Sequence, residues 1–239
     1  SQNVTPTTLE LGGKSPQIVF SDSNLDRAIT YLVNAGIQNS GQTCSASSRI
    51  LVEKSIFKKV LKRMSDRYEQ LKVGSASEDL DLGPVISKKQ MDIISDYEAQ
   101  AENLELLAKG KLVKDTNSDG FYKTPKLFTT EDFKHVLAQE EIFGPIQVII
   151  PFNDEDEAIE IANSTDYGLV ASVWTENGGK QMRVAKKVRA GQVFINNYGA
   201  GGGVELPFGG VGKSGHGREK GFEALYGFSQ LKTIANFHG

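Results

Sequence analysis

The sequence predicts an α/β protein in which a mostly parallel, twisted sheet carries helices on its faces. Three apolar, strand-like segments at 146–150, 169–174 and 192–195 alternate with helical patterns at 154–163 and 179–189. A strand–helix–strand–helix–strand run of this kind is typical of a parallel sheet covered by helices. Two earlier strand-like segments, at 16–20 and 50–52, flank another helical pattern and extend the same alternation.

The first half of the chain is predicted to hold three helices. Capping residues at 21–24 precede apolar residues at helical spacing, so a helix should follow and run into the segment that contains Cys44. A second amphipathic helix is expected at about 56–71. Gly83-Pro84 then breaks the chain before a third helix, at about 87–103.

The second half begins with a short predicted strand at 104–107 and a surface turn at 115–120. The strand at 146–150 is expected to end at Pro151, and the helix at 154–163 has acidic residues in its first turn, as the helix dipole prefers. Residues 197–217 contain nine glycines and are predicted to be irregular. A short helix from about Arg218 and a terminal strand at 229–237 complete the prediction.

Composition excludes several classes of protein. The formal net charge is −3 with both signs interspersed, so no nucleic-acid surface is expected. No apolar run reaches the roughly 18 residues of a membrane span, and the N-terminus lacks the pattern of a signal peptide. A single cysteine excludes an internal disulfide and fits a reducing, cytoplasmic setting. The three histidines are widely separated and form no metal-ligand pattern, so no metal is expected.

Two residues have chemical potential that their local sequence leaves open. Cys44, the only cysteine, has small or polar neighbours, so it is either a reactive nucleophile or a small buried residue. Glu10 lies between two leucines before a Gly-Gly turn, so it faces either solvent or a cleft. Composition and pattern alone favour the buried cysteine and the solvated carboxylate.

The glycine-rich segment contains two misleading patterns. Gly210 to Gly215 matches the dinucleotide fingerprint by letter, but no strand precedes it directly and position 235 is alanine instead of an acidic residue. Gly212-Lys213-Ser214 imitates the end of a phosphate-binding loop, but the first glycine of that motif would fall on Pro207. We therefore expect glycines that let the backbone approach another segment or a ligand closely.

Five motifs, in order, resemble the catalytic domain of the aldehyde dehydrogenase superfamily. They are Leu-Glu-Leu-Gly-Gly-Lys at 9–14, Gly-Gln-Thr-Cys at 41–44, Glu-Glu-Ile-Phe-Gly-Pro at 140–145, Pro-Phe-Gly-Gly at 207–210 and Ser-Gly-His-Gly-Arg-Glu at 214–219. The resemblance runs from about residue 7 to the end. It implies a three-layer αβα fold with a C-terminal oligomerisation strand, and a homodimeric or homotetrameric full-length protein.

The resemblance also implies roles for individual residues. Cys44 corresponds to the family's nucleophile, Glu10 to its general base and Glu219 to a carboxylate implicated in proton relay. Glu141 corresponds to the carboxylate that binds the nicotinamide ribose, and Phe143 to a nicotinamide contact. The substrate would be a small aldehyde and the cofactor NAD or NADP. Residues 41–49 look like those of betaine-aldehyde and aminoaldehyde dehydrogenases, although general aldehyde dehydrogenases share much of this segment.

Family chains are about twice as long, with a cofactor-binding domain mostly ahead of the Glu10 motif. The chain is therefore interpreted as an excised catalytic domain, with 1–10 a remnant of the domain boundary, 11–225 the catalytic domain and 226–239 the oligomerisation strand. By itself it is expected to be inactive as a dehydrogenase. Two alternatives stay open: a cysteine hydrolase or acyltransferase that uses a histidine, and an assembly module without chemistry.

Overall fold

The computed structural model describes residues 5–114, 116, 119–199 and 203–239. In chain order the described strands are β1 (Leu9–Glu10), β2 (Pro16–Val19), β3 (Arg49–Glu53), β4 (Lys72–Val73), β5 (Glu105–Lys109), β6 (Lys111–Leu112), β7 (Lys126–Thr129), β8 (Ile146–Phe152), β9 (Val170–Trp174), β10 (Gln192–Ile195) and β11 (Gly215–His216). The helices are α1 (Leu25–Ile37), α2 (Phe57–Tyr68), α3 (Lys88–Ala99), α4 (Val136–Gln139), α5 (Glu155–Asn163), α6 (Gly178–Lys187) and α7 (Glu223–Gly227).

Seven strands form the central sheet in the order β10-β9-β2-β3-β8-β7-β5. Every neighbouring pair is parallel except β5 and β7, which are antiparallel at one edge. Two short pairs lie outside this sheet: β1 with β11, and β4 with β6. The mostly parallel sheet predicted from the alternation of strands and helices is therefore confirmed.

Helices cover both faces of the sheet and produce three layers. On one face, α1 and α2 pack on side chains such as Val19, Ile50 and Ile149. On the other face, α3, α4, α5 and α6 pack on alternate residues such as Ile18, Leu51 and Val148. The central strands read as continuous apolar runs because both of their faces are buried.

Helix α1 shows how local sequence fixes an element that carries the site. The Asn24 side chain accepts a hydrogen bond from the Arg27 N–H at 3.1 Å, which satisfies one of the free donors of the first turn. Leu25, Ile29 and Leu32 recur at helical spacing and are buried against the sheet. The helix ends at Ile37, and the chain then passes directly into the segment that contains Cys44.

One predicted strand end is wrong, and one predicted strand has no partner within the described chain. Strand β8 continues through Pro151 to Phe152. The Val148 N–H donates to the Ser48 carbonyl beside β3. Successive N–H groups of a strand point to opposite sides, so the nitrogen of Pro151 faces the side of β7. Strand β7 ends at Thr129, so proline is tolerated at this position. The predicted terminal strand at 229–237 is not formed within this chain, because a strand requires a partner for its backbone hydrogen bonds and these exposed residues pair with none of the described strands.

The helix predictions differ from the structure mainly at their ends. The helix expected from about Arg218 begins at Glu223, and those expected to reach 71 and 103 stop at Tyr68 and Ala99. Parts of three predicted segments lie outside the described residues: 1–4 of the N-terminal remnant, 115, 117 and 118 of the surface turn, and 200–202 of the glycine-rich segment.

Candidate active site

Three of the predicted site residues lie together at the amino-terminal ends of the strands, because each precedes one of three adjacent parallel strands. Glu10 precedes β2, Cys44 precedes β3 and Glu141 precedes β8, and these strands are neighbours in the order β2-β3-β8. Parallel strands have their amino ends at the same edge, so residues far apart in sequence meet there.

The segment around Cys44, residues 38–47 and here called the Cys44 loop, has an unusual backbone. Asn39, Ser40 and Gly41 all have left-handed φ values, of 49°, 56° and 74°. Such residues persist only where the surroundings hold them. The Ser40 hydroxyl donates to the Gly83 carbonyl at 2.8 Å, and the Gln42 side-chain oxygen accepts from the Ile86 N–H at 2.9 Å. The loop is therefore fixed against the 83–86 segment.

The Gly12-Gly13 turn lies between Glu141 and Cys44. The Gly13 N–H donates to Glu141 Oε1 at 2.9 Å. A Cβ atom on Gly13 would lie 2.2 Å from the carbonyl oxygen of Cys44, and one on Gly12 would lie 2.1 Å from Glu141 Oε2. A side chain at Gly13 would collide with backbone, and one at Gly12 would displace the Glu141 carboxylate, so the close contacts of this turn with the other two motifs depend on glycine.

Glu10 is held in β1 by its pairing with Gly215 of β11. Both carboxylate oxygens are buried, and neither makes a hydrogen bond of ordinary geometry, although the nearby Gly210 N–H lowers the pKa somewhat. Burial raises the pKa of Glu10 above its ordinary value, and the negative charge of Glu219 raises it further, against an opposing effect of Arg218. A buried carboxylate without hydrogen bonds is a good candidate for a proton acceptor.

Cys44 is half-buried and packs beside Leu169, Tyr198 and Phe208. Burial raises the pKa of its thiol, and so do the charges of Glu10 and, more weakly, Glu141. Hydrogen bonds from the backbone N–H groups of Ser45 and of Cys44 itself lower it. The thiol is therefore near enough to carboxylates from two other motifs to be influenced by their charge, and to the backbone N–H groups of its own loop.

The histidines occupy other positions in the fold. His135 caps α4 by accepting the Leu137 N–H, His216 pairs with Leu9 in β11, and His238 lies exposed near the C-terminus. None of these contacts involves Cys44, and the charges that shift the pKa of its thiol come from carboxylates, which favours a base other than histidine. No group of acidic, cysteine or histidine side chains within the described residues could hold a metal ion.

Glu141 and Phe143 form a second part of the site. Phe143 has a left-handed φ of 55° and a side chain that is 37% exposed, and the Gln90 side chain holds its backbone by donating to the carbonyls of Ile142 and Phe143. Burial raises the pKa of Glu141, while the Gly13 N–H and the Lys14 charge lower it. A carboxylate beside an exposed aromatic ring suits a ligand that carries hydroxyls and a planar ring.

Two cationic residues next to the site were missed by sequence reasoning. Lys14 is fully buried, its Nζ has no hydrogen-bond partner among the described residues, and burial lowers its pKa to about 7. Arg49 is also buried, and its guanidinium donates to the carbonyls of Lys14, Ile161 and Ala162. A charged residue at the border of an apolar strand was the available signal for Arg49.

The glycine-rich segment packs from Gly209 onward against the protein itself. Val211 and Lys213 donate from their backbone to the carbonyls of Gly168 and Asp166, and a Cβ on Gly209 would lie 2.9 Å from Glu10 Oε1. The interpretation that these glycines permit close backbone approach to another segment is confirmed, and the segment helps to enclose Glu10.

The sequence model of the aldehyde dehydrogenase family matches residues 1–234. The chain belongs to this family. It is 44% identical to an aldehyde dehydrogenase of Emericella nidulans over 236 residues, and this alignment covers 97% of this chain and 46% of that protein. A crystal structure of a Burkholderia cenocepacia protein, provisionally assigned as an aldehyde dehydrogenase, superposes with a TM-score of 0.97 at 55% identity, over 100% of this chain and 50% of that one.

A betaine aldehyde dehydrogenase of Staphylococcus aureus, solved in complex with NAD+, matches with a TM-score of 0.87 at 39% identity, over 94% of this chain and 45% of that one. The chain thus spans about half the length of the relatives it matches. Within the described ranges, no helix of this family member is long and apolar enough to cross a membrane.

Proposed function

We propose that this chain is the catalytic part of an NAD(P)-dependent aldehyde dehydrogenase that oxidises an aldehyde to its carboxylic acid through Cys44. The observation that carries the proposal is the position of the only cysteine, close enough to the buried carboxylate of Glu10 for that charge to raise the pKa of the thiol. Family membership supplies the reaction class, and the two side chains supply a nucleophile and a base.

Cys44 would attack the aldehyde carbon while its proton passes to a base, forming a carbon–sulfur bond and a tetrahedral oxyanion. Glu10 is suited to accept that proton because its pKa is raised toward the neutral range, where a base both binds and releases protons efficiently. The backbone N–H of Cys44 points toward the sulfur and would stabilise the adjacent oxyanion.

Loss of hydride from the tetrahedral adduct leaves a thioester on Cys44. Glu10 would then activate water, whose attack releases the carboxylic acid and regenerates the thiol. The charge of Glu219 raises the pKa of Glu10. Backbone hydrogen bonds between Glu219 and Phe208 fix the position of Glu219. We assign Glu219 to the path by which the Glu10 proton leaves the site.

The residues of the Glu141–Phe143 segment fit a nicotinamide nucleotide. Glu141 Oε1 is bonded to the Gly13 N–H, and Oε2 lies against Gly12 in a space that a Cβ would fill. Glu141 would bind ribose hydroxyls and Phe143 would contact the ring. NAD or NADP, bound mainly by the part of the protein outside this chain, would supply the hydride acceptor.

A cavity of about 670 Å³ runs along α1 and reaches Tyr198, whose hydroxyl donates to the Ser45 carbonyl in the Cys44 loop. Its lining includes the amides of Asn34 and Gln38. We propose that it receives the far end of a small polar aldehyde. This agrees with the similarity of residues 41–49 to betaine-aldehyde and aminoaldehyde dehydrogenases.

We also propose that 1–10 borders the cofactor domain, that 11–225 is the catalytic domain, and that 226–239 pairs with another subunit in a cytoplasmic homodimer or homotetramer. The C-terminal segment exposes Leu231, Ile234 and Phe237, which are 104%, 84% and 92% accessible in the isolated chain. Burying such side chains would stabilise an oligomer. Sedimentation of the full-length protein with and without 229–239 tests this, and an unchanged mass would contradict it.

The test of the catalytic proposal is Cys44→Ala in the full-length enzyme, assayed for reduction of NAD+ or NADP+ with a panel of aldehydes. The variant should lose turnover. Ser55→Ala should retain it, because Ser55 follows the carboxyl end of β3, away from Cys44 at the amino end. Retained turnover in Cys44→Ala would refute the assignment. In this chain alone, p-nitrophenyl ester hydrolysis blocked by iodoacetamide would support a nucleophilic Cys44, and an insensitive rate would count against it.

A further inference from the structure

Gln147 is a polar residue near the amino end of the otherwise apolar strand β8, and its side chain is 0% exposed. It lies on the face of the sheet that α1 and α2 cover. A buried amide is costly unless its hydrogen bonds are made, so its partners show what it does there.

The two N–H groups of the Gln147 amide bind carbonyls near the two ends of the Cys44 loop. Nε2 lies 2.8 Å from the carbonyl oxygen of Leu32 in α1, ahead of the loop, and 2.5 Å from that of Ser47, the last residue of the loop. The Ser47 N–H also donates to the Ala35 carbonyl at 3.0 Å. Ser47, at the end of the loop, is thus joined to α1 in two ways: directly by its hydrogen bond to Ala35, and indirectly through Gln147.

The orientation of the amide is fixed by its neighbours. Carbonyl oxygens only accept hydrogen bonds, so the NH₂ group must face Leu32 and Ser47. Gln147 Oε1 then accepts from the Tyr68 hydroxyl of α2 at 2.6 Å, and burial raises the pKa of Tyr68, so this phenol stays protonated as a donor.

Gly36 makes this contact possible. A Cβ atom at Gly36 would lie 2.2 Å from Gln147 Cδ and 2.3 Å from Nε2. A glycine inside a helix is unfavourable by itself, so its presence in α1 is explained by the approach of the amide.

We propose that Gln147 is a positioning residue for Cys44, acting through the two stems of the Cys44 loop. The proposal rests on the proposed role of Cys44 as nucleophile. Ser40, Gln42 and Ser45 anchor the outer part of the loop, whereas Gln147 fixes its base to the rigid centre of the sheet. Loss of the amide would let Cys44 move relative to Glu10 and the backbone donors.

The test compares Gln147→Met with Tyr68→Phe, which removes one bond of the same network but keeps both amide donors. The first readout is the rate of Cys44 alkylation by iodoacetamide against pH in the folded chain. Because burial is the main cause of the raised thiol pKa, Gln147→Met should move the alkylation profile to lower pH, while Tyr68→Phe should leave it near that of the parent. In the full-length enzyme, kcat of Gln147→Met should fall about 10- to 100-fold, since a misplacement near 1 Å can cost that much.

An alkylation profile of Gln147→Met that coincides with those of Tyr68→Phe and the parent would overturn the proposal. Hydrogen exchange on the unmodified chain supplies a second measurement in case Gln147→Met fails to fold. The Ser47 amide should exchange as slowly as the amides of β8, and exchange through local opening of the loop would also overturn it. Neither the alkylation profile nor the hydrogen exchange requires aldehyde oxidation, so a failed Cys44→Ala test of the function remains distinguishable from a failure here.

Discussion

Substitution of Gly13 by alanine should misplace Cys44 with little change to the rest of the fold. The new Cβ would lie 2.2 Å from the Cys44 carbonyl oxygen, about 1.2 Å inside an ordinary contact. The Cβ is fixed to the Gly13 backbone, which Glu141 holds, and the oxygen belongs to the Cys44 backbone, so the clash moves main chain; the strain should cost about 1–3 kcal/mol and lower Tm by about 2–12 °C. A displacement near 1 Å should lower kcat by about 100-fold in the full-length enzyme.

The assay is steady-state aldehyde oxidation together with thermal unfolding of the same preparations. Gly178→Ala is the matched control, because a Cβ at that position, in α6, meets no atom within 4 Å. The control should retain turnover and gain a little stability from the better helix former. If Gly13→Ala retained kcat/KM within about twofold of the parent, the close contact between the two motifs would not matter for catalysis, and the reasoning would fail.

The remaining predictions concern buried charges. Glu10→Gln should lower kcat by about 10²–10⁴-fold in the full-length enzyme. The pKa of Glu10 is 4.5 in the unfolded chain and higher in the folded chain, so the folded chain binds the Glu10 proton more tightly. The free energy of unfolding should therefore fall as pH rises from 4.5 through the folded-state pKa. Urea titrations of Glu10→Gln should not show this fall. For Lys14, with a folded pKa of about 7 against 10.5 unfolded, stability should instead rise between those values by roughly 2–5 kcal/mol, and Lys14→Met should abolish the rise. Arg49→Met removes charged hydrogen bonds to three carbonyls, of which, among the described residues, only that of Ile161 keeps another donor, Ser164, and should cost about 3–5 kcal/mol in urea unfolding. Arg183→Met, which breaks an exposed pair with Glu155, should change the unfolding curve little.

Elements with strong local signals were predictable from the sequence. Asn24 and the apolar residues after it specify α1 through a cap and a period of 3.6, and neither depends on the rest of the chain. Strand ends were less predictable. Pro151 would stop a strand whose nitrogen needs a partner, but here the neighbouring strand has already ended, and only the sheet register shows this.

The candidate site was predicted in part. Motif order led to Cys44 and Glu10, but sequence reasoning did not show that the Gly12-Gly13 turn joins Glu141 to the Cys44 loop. It also missed Gln147, although a lone amide within an apolar strand is a signal that could have been noticed. Its partners, Leu32 and Ser47, are distant in sequence, so no local pattern names them.

The sequence by itself thus determined most of the longer strands and helices, the family and the chemical types at the site, since these follow from periodicity, caps and short motifs. Tertiary structure decided which residues meet. The parallel order β2-β3-β8 brings Glu10, Cys44 and Glu141 to one edge, and burial there raises the pKa values of all three. Burial and proximity depend on how distant segments pack, which is why only the folded chain fixes the properties of these groups.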